Sequence, residues 1–224
     1  TFTTSRPIKM VYTLDGTTPT PSSTIYTSPI KVSDNTIIKI ATVLPSGKMS
    51  RIRTVNIEKQ TYAPAIKIDG VKSGLQMSRV KGNFLKVDDL NWTDAEWEKS
   101  IISNLEQIKI QHKDDGATLR GANNYAAIAE GYINIPEDGV YYLSSRLEQV
   151  WIDNKLVVNN EGDVKASTMN DSSVALAKGL HPIKVVFLAN IIGGWPSWWS
   201  STAIEMRKDN EKEFTAVGGS QLFR

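Results

Sequence analysis

The sequence predicts a mainly β protein of two sandwich units, and three observations carry that reading. Runs rich in Val, Ile, Thr and Tyr recur at short spacing, and Asp-Gly, Pro-Ser-Gly and Pro-Glu-Asp-Gly turns separate them. The charge balance also changes near residue 60: eight basic and three acidic side chains come before it, and eighteen and twenty-one after it. The predicted units are therefore 1–60 and 61–224, with the stretch "TYAPA" at 61–65 as the linker.

In the first unit "MVYTLDG" ends in a turn, and "TPTPSST" is a loop whose prolines cannot donate to a ladder. "IYTSPIKV" resumes the extended pattern, and "TIIKIATVLPSGKMSRIRTVNI" reads as strand, turn and strand. In the second unit β patterning resumes at Tyr125 with "YAAIAEGYINI", "VYYLSS", "QVWIDNKLVVN", "SSVALAKGLHPIKVVFLA" and "TAIEMRK". Strands at this spacing predict the larger sandwich. One helix is expected over about 93–109. There Thr93 and Glu96 have the spacing of a capping box, and Trp97, Ile101, Ile102, Leu105 and Ile108 recur on one helical face.

Composition narrows the function. The 224 residues are 40% hydrophobic and 22% charged with a formal net charge of +2, which is ordinary globular composition without the basic excess of a nucleic-acid or anionic-membrane binder. No apolar run is long enough to span a bilayer, and with no cysteine there is neither a disulfide framework nor a thiolate ligand. The opening "TFTTSRPIKMVYTL" is already β-type sequence, so the chain is expected to be a piece of a longer protein.

"GGWPSWWSS", 193–201, holds half of the six tryptophans. Adjacent residues of an extended segment point to opposite faces, so Trp198 and Trp199 could not both enter one core from a strand. Sugars pack their C–H faces on aromatic rings while their hydroxyls seek hydrogen bonds. Trp195, Trp198 and Trp199 are the candidate platform, and Ser197, Asn190, Ser200 and Ser201 are candidate polar partners. The competing reading makes the same rings a core seal or a docking face. Trp97 and Trp151 are expected in the core, and of the neighbouring Tyr141 and Tyr142 one should be buried and the other exposed.

Two stretches resemble known families. "VYTLDGTTPTPSSTIYTSPI" followed by "IIKIATVLPSGKMS" resembles the chitobiase/hexosaminidase C-terminal module over roughly 1–60. "SGLQMSRVKGNFLKVDDL", "GYINIPEDGVYYL", "WIDNKLVVNN" and "ALAKGLHPIKVVFL", in that order, resemble the protective-antigen-like β-sandwich module over about 70–210. The resemblance implies a small immunoglobulin-like sandwich followed by the larger one, both carried after the catalytic domain of a secreted, periplasmic or cell-surface bacterial glycosidase of β-N-acetylhexosaminidase type. The implied partners are a glycan or that catalytic domain. Family members that bind sugar often use calcium held by an acidic pair in a loop. Here "VYYLSS" runs into "RLEQVWID" without the usual "DDG", and Asp153 at the family's "ID" position reads as a turn residue satisfying backbone amides.

Catalysis within the chain is not expected. His112 and His181 are the only imidazoles, His181 sits in a "GLHPI" turn, and no nucleophile elbow or metal-binding histidine motif occurs. Glycoside hydrolysis needs two carboxyl groups converging about the bond. The pairs Asp88–Asp89 and Asp114–Asp115 are merely adjacent in sequence. No cofactor is expected; Asp114 and Asp115, next to Gly116, are the best candidates for a calcium ion but lack further ligands at readable spacing.

Overall fold

The computed structural model describes residues 1–90, 96–109, 123–162 and 170–224. Two compact units divide the chain, Thr1–Thr61 and Tyr62–Arg224. The protein is mainly β, and among the described residues no helix reaches seven residues.

The first unit is one antiparallel sheet in the order β2 (Thr24–Ile25), β1 (Lys9–Thr13), β3 (Thr36–Val43), β4 (Arg53–Ile57). This differs from the two facing sheets of an immunoglobulin-like sandwich. The cause is visible in the burial: only Val11, Ile38, Ile40 and Ala41 are fully buried hydrophobics, too few to cement a second sheet. The expected loops hold the strands in register. Asp15 accepts from the Thr17 amide at 3.0 Å and from its hydroxyl at 2.6 Å, and Gly16 takes the positive φ that the Asp-Gly turn requires.

The second unit is a two-sheet sandwich. The larger sheet runs β10 (Lys155–Asn159), β9 (Gln149–Ile152), β12 (Gly179–Ala189), β7 (Tyr125–Ile135), β5 (Leu75–Lys81), β6 (Glu98–Ile102), and β17 (Leu222–Phe223) also pairs with β7. The facing sheet runs β11 (Asn170–Leu176), β8 (Gly139–Ser145), β15 (Ile204–Lys208), β16 (Thr215–Ala216). Between them lies the main core, built from inward positions such as Tyr125, Ile133, Leu143, Val185, Phe187 and Ile204. Tyr141 is buried and Tyr142 is half-buried beneath the Arg207 guanidinium, 4.1 Å from the ring centre.

β7 is buried without alternation from Tyr125 to Ala129 because both of its faces are covered there. The outer face of the sheet carries a second cluster, Val87, Leu90, Ala126, Val186 and Leu188, with Val80, Phe84 and Trp97 packed against it. That cover stops at Ile128. The next outward position, Glu130, is exposed, and alternation returns.

The expected helix over 93–109 is not formed. Thr93 lies outside the described residues, Glu96 and Trp97 are irregular, Glu98–Ile102 is strand β6, and Leu105–Ile108 is a single 3₁₀ turn capped by the Asn104 side chain. Ile102, Leu105 and Ile108 all enter the main core at three-residue intervals, which is the period of a 3₁₀ turn as well as an approximation to the α period. Ile101 is 59% exposed because it points away on the other side of the strand. The β-branched Ile101–Ile102 pair favours extension, and the polar Ser103–Asn104 step ends it.

A two-residue turn joins β9 and β10. Asp153 and Asn154 take φ of 49° and 61°, the left-handed pair that such hairpins require. Asp153 is thus a turn residue, but its carboxylate faces a ring rather than backbone amides: Oδ2 is 2.7 Å from His181 Nδ1, while His181 Nε2 is 2.8 Å from the Ala177 carbonyl. His181 is fully buried.

β17 closes the sheet, and Gly131 makes this possible. A Cβ at Gly131 would stand 2.2 Å from the Phe223 carbonyl oxygen and 2.7 Å from Leu75. Gly131→Ala is therefore expected to displace Leu222–Phe223 and to lower unfolding free energy by about 1–3 kcal/mol, measured by urea denaturation. Unchanged stability would show that β17 contributes little.

Candidate functional site, an aromatic hairpin

The diglycine of "GGWPSWWSS" is the turn of a hairpin. β13 (Ile191–Ile192) pairs with β14 (Trp195–Pro196), and Gly193 and Gly194 between them adopt φ of 57° and 81°, which a side chain would resist. Pro196 then leads into a 3₁₀ turn, Ser197–Trp199. A 3₁₀ turn rotates successive side chains by about 120°, so Trp198 and Trp199 diverge without a strand. Trp198 joins the main core at 9% exposure, while Trp195 and Trp199 are each 52% exposed.

The two outward rings meet edge to face, with centroids 6.1 Å apart and planes at 82°. They form an L-shaped apolar corner.

The hairpin is pinned from below. Ser197 Oγ donates to the Leu188 carbonyl at 2.7 Å and accepts from the Asn190 amide at 3.0 Å. The Ser197 amide donates to the Asn190 carbonyl at 2.9 Å, and Asn190 Nδ2 donates to the Phe84 carbonyl at 2.8 Å. The candidate residues thus divide. Trp195 and Trp199 form the corner, whereas Trp198, Ser197 and Asn190 are buried beneath it and serve as its foundation, not as groups facing solvent.

Polar groups beside the corner come from elsewhere in the chain. Glu106 Oε1 accepts from the Thr202 amide at 3.0 Å and from Ser201 Oγ at 3.2 Å. Its other oxygen is 2.7 Å from Lys109 Nζ, which also donates to the Ser200 carbonyl at 3.1 Å. Burial pushes the Glu106 carboxyl up, but the hydrogen bonds from Lys109, Thr202 and Ser201 outweigh it and hold the group below the usual glutamate range. Glu106 and Lys109 were not legible as neighbours of the hairpin. Their partners Ser201 and Ser200 are more than ninety residues away in sequence, and Glu106 and Lys109 both lie inside the stretch whose periodicity reads as a helix.

Among the described residues, those at the bend after β8 do not fit a calcium ion. Ser145 Oγ donates to the Ala203 carbonyl at 2.9 Å and accepts from the Leu147 amide at 3.2 Å. Asn160 Nδ2 donates to the carbonyls of Ser145 and Leu147 at 2.7 and 2.8 Å, removing oxygens that a hard cation would need. Arg146 adds a positive charge, and Glu148, the one acid of the bend, turns an oxygen to the Leu188 amide at 2.8 Å. Asp114, Asp115 and His112 lie outside the described residues. Trp151 and Trp97 are both half-buried on the outer face of the larger sheet instead of filling the main core. Trp97 packs on the second cluster, and Trp151 donates its indole N–H to Gln149 Oε1 at 3.0 Å.

The second unit, a two-sheet antiparallel sandwich, is of the PA14 β-sandwich class. Residues 100–212 match the PA14 domain family, and residues 1–54 match the chitobiase/beta-hexosaminidase C-terminal domain. The chain belongs to the PA14 domain family. Over its full length it is 40% identical to a beta-hexosaminidase of Porphyromonas gingivalis, and it spans 29% of that relative's length. These matches fit a C-terminal accessory region.

Among solved structures, the PA14 domain of the MpAFP antifreeze protein is similar at 11% identity and a TM-score of 0.47, covering 74% of this chain and 96% of that one. A subtype-switched epithelial adhesin A domain from Candida glabrata, in complex with β-lactose, is similar at 13% identity and a TM-score of 0.47, covering 72% and 92%.

Proposed function

We propose that this chain is a noncatalytic accessory region of a β-hexosaminidase-type glycoside hydrolase and that it holds carbohydrate at the Trp195–Trp199 corner. The observation that carries this reading is the pair of half-exposed indoles fixed at right angles on a hydrogen-bonded foundation. Exposing two large apolar rings is unfavourable in the free protein, and their rigidity lowers the ordering cost of a contact. A sugar ring can pack its C–H face on one indole with its edge against the other, and the Glu106, Lys109 and Ser201 cluster lies beside the hairpin to meet hydroxyls. Tethered to an enzyme, even a weak site of this kind raises the local concentration of glycan.

The test is an affinity-gel and glycan-array screen of the whole chain beside a Trp195→Ala, Trp199→Ala double change, with and without chelator. Retention should fall by at least about tenfold in the double variant, since exposed aromatic anchors carry the larger share of such contacts. Chelator should leave it unchanged. If the intact chain retains no glycan, the corner is instead a docking face for the rest of the enzyme.

A further inference from the structure

The outer face of the larger sheet is covered only in part, and its bare half is built like a second site. β-register lines up one row across four strands: Trp151 on β9, Lys184 on β12, Glu130 on β7 and Gln76 on β5. A groove of about 550 Å³ runs along this row, with Tyr132, Pro182 and Arg224 in its wall. A second groove of about 560 Å³ shares Glu130 and Lys184 with it and continues past Ser78 and Lys99 to Trp97. From β9 to β5 is three strand spacings, roughly 14 Å. The trough is therefore long enough for more than one ring.

Its chemistry is mixed. Trp151 presents an indole with the Lys184 ammonium 5.1 Å from its centre, and Trp97 stands at the far end, seated on the second hydrophobic cluster. Among the described residues, Lys184, Lys99 and Arg224 line the two grooves and Glu130 is their one acidic side chain. The excess of positive charge over a floor with aromatic rings at both ends selects an anion with apolar faces.

We propose that this trough is a second carbohydrate site, separate from the aromatic hairpin, and that it takes an oligosaccharide bearing a carboxylated sugar. The sugar ring packs on Trp151, Gln76 and Glu130 meet its hydroxyls, and the carboxylate lies toward the lysines. From the sequence alone both Trp151 and Trp97 are expected in the core. The place of Trp151 on the outer face follows from the odd–even register of β9, and Trp97, just before β6, is held there by the second hydrophobic cluster.

Calorimetric titration of the whole chain with sialyllactose and with neutral lactose tests this. Sialyllactose should bind at least about tenfold more tightly than lactose and weaken when salt is raised to about 0.5 M. Trp151→Ala should reduce its affinity by about tenfold or more. Lys99→Glu, at an exposed position, should reduce it several-fold. The Trp195→Ala, Trp199→Ala change should leave it in place, which separates this site from the hairpin. Equal binding of the two sugars, no binding of sialyllactose, or an affinity indifferent to both Trp151→Ala and Lys99→Glu would overturn the proposal.

Discussion

Trp198→Ala is expected to lower the free energy of unfolding by about 3–5 kcal/mol and to dissolve the aromatic corner with it. Trp198 is the one ring of the hairpin that belongs to the main core. Its removal leaves a cavity where the interior is close-packed, and the neighbours that could collapse into it are strand residues held by ladder hydrogen bonds. The 3₁₀ turn that carries Trp198 also carries Ser197 and Trp199. Loosening it releases the bonds from Ser197 to Leu188 and Asn190, and Trp195 and Trp199 lose their fixed right angle. Urea denaturation measures the first effect, and the near-ultraviolet circular dichroism of the indoles measures the second. A loss under 1 kcal/mol, or an unchanged aromatic spectrum, would show that the turn stands without its buried ring.

His181→Ala is expected to be comparably damaging, at about 3–5 kcal/mol, because three losses coincide. The fully buried imidazole leaves a void. The Asp153 carboxylate loses its partner at 2.7 Å, and the Ala177 carbonyl loses its donor at 2.8 Å. The Asp153–Asn154 turn depends on the first of these contacts, so the β9–β10 hairpin should exchange its amide hydrogens faster than the rest of the sheet. His181→Gln restores length and one donor and should recover part of the loss. Hydrogen exchange that rises uniformly across the unit would indicate a global effect with no special link to this turn.

Much of the architecture was legible because β patterning repeats: the strands of both units fall where the turn residues bound them, and the large sandwich follows the runs from Tyr125 onward. The 93–109 segment reads as a helix for a specific reason. Three-residue spacing of Ile102, Leu105 and Ile108 satisfies a helical face, a 3₁₀ turn and a strand end alike. Only pairing with β5 decides among them, and that is a tertiary fact. The same limit applies to the candidate site. "GGWPSWWSS" announces aromatic density and a Gly-Gly turn, so the hairpin could be located from the sequence. Which ring faces inward depends on a single 3₁₀ turn, and Ser197 and Asn190, polar and adjacent to it, spend their hydrogen bonds on the loop itself. Glu106 and Lys109 reach the site by long-range contact, for which no local pattern exists.

β17 has a mechanical consequence. The Arg224 amide and carbonyl exchange hydrogen bonds with Lys72 at 2.8 and 3.0 Å, so the second unit's last strand lies against the start of its first. A force pulling those two points apart would unzip this short seam one bond at a time, leaving the eleven-residue β7–β12 ladder to be loaded last.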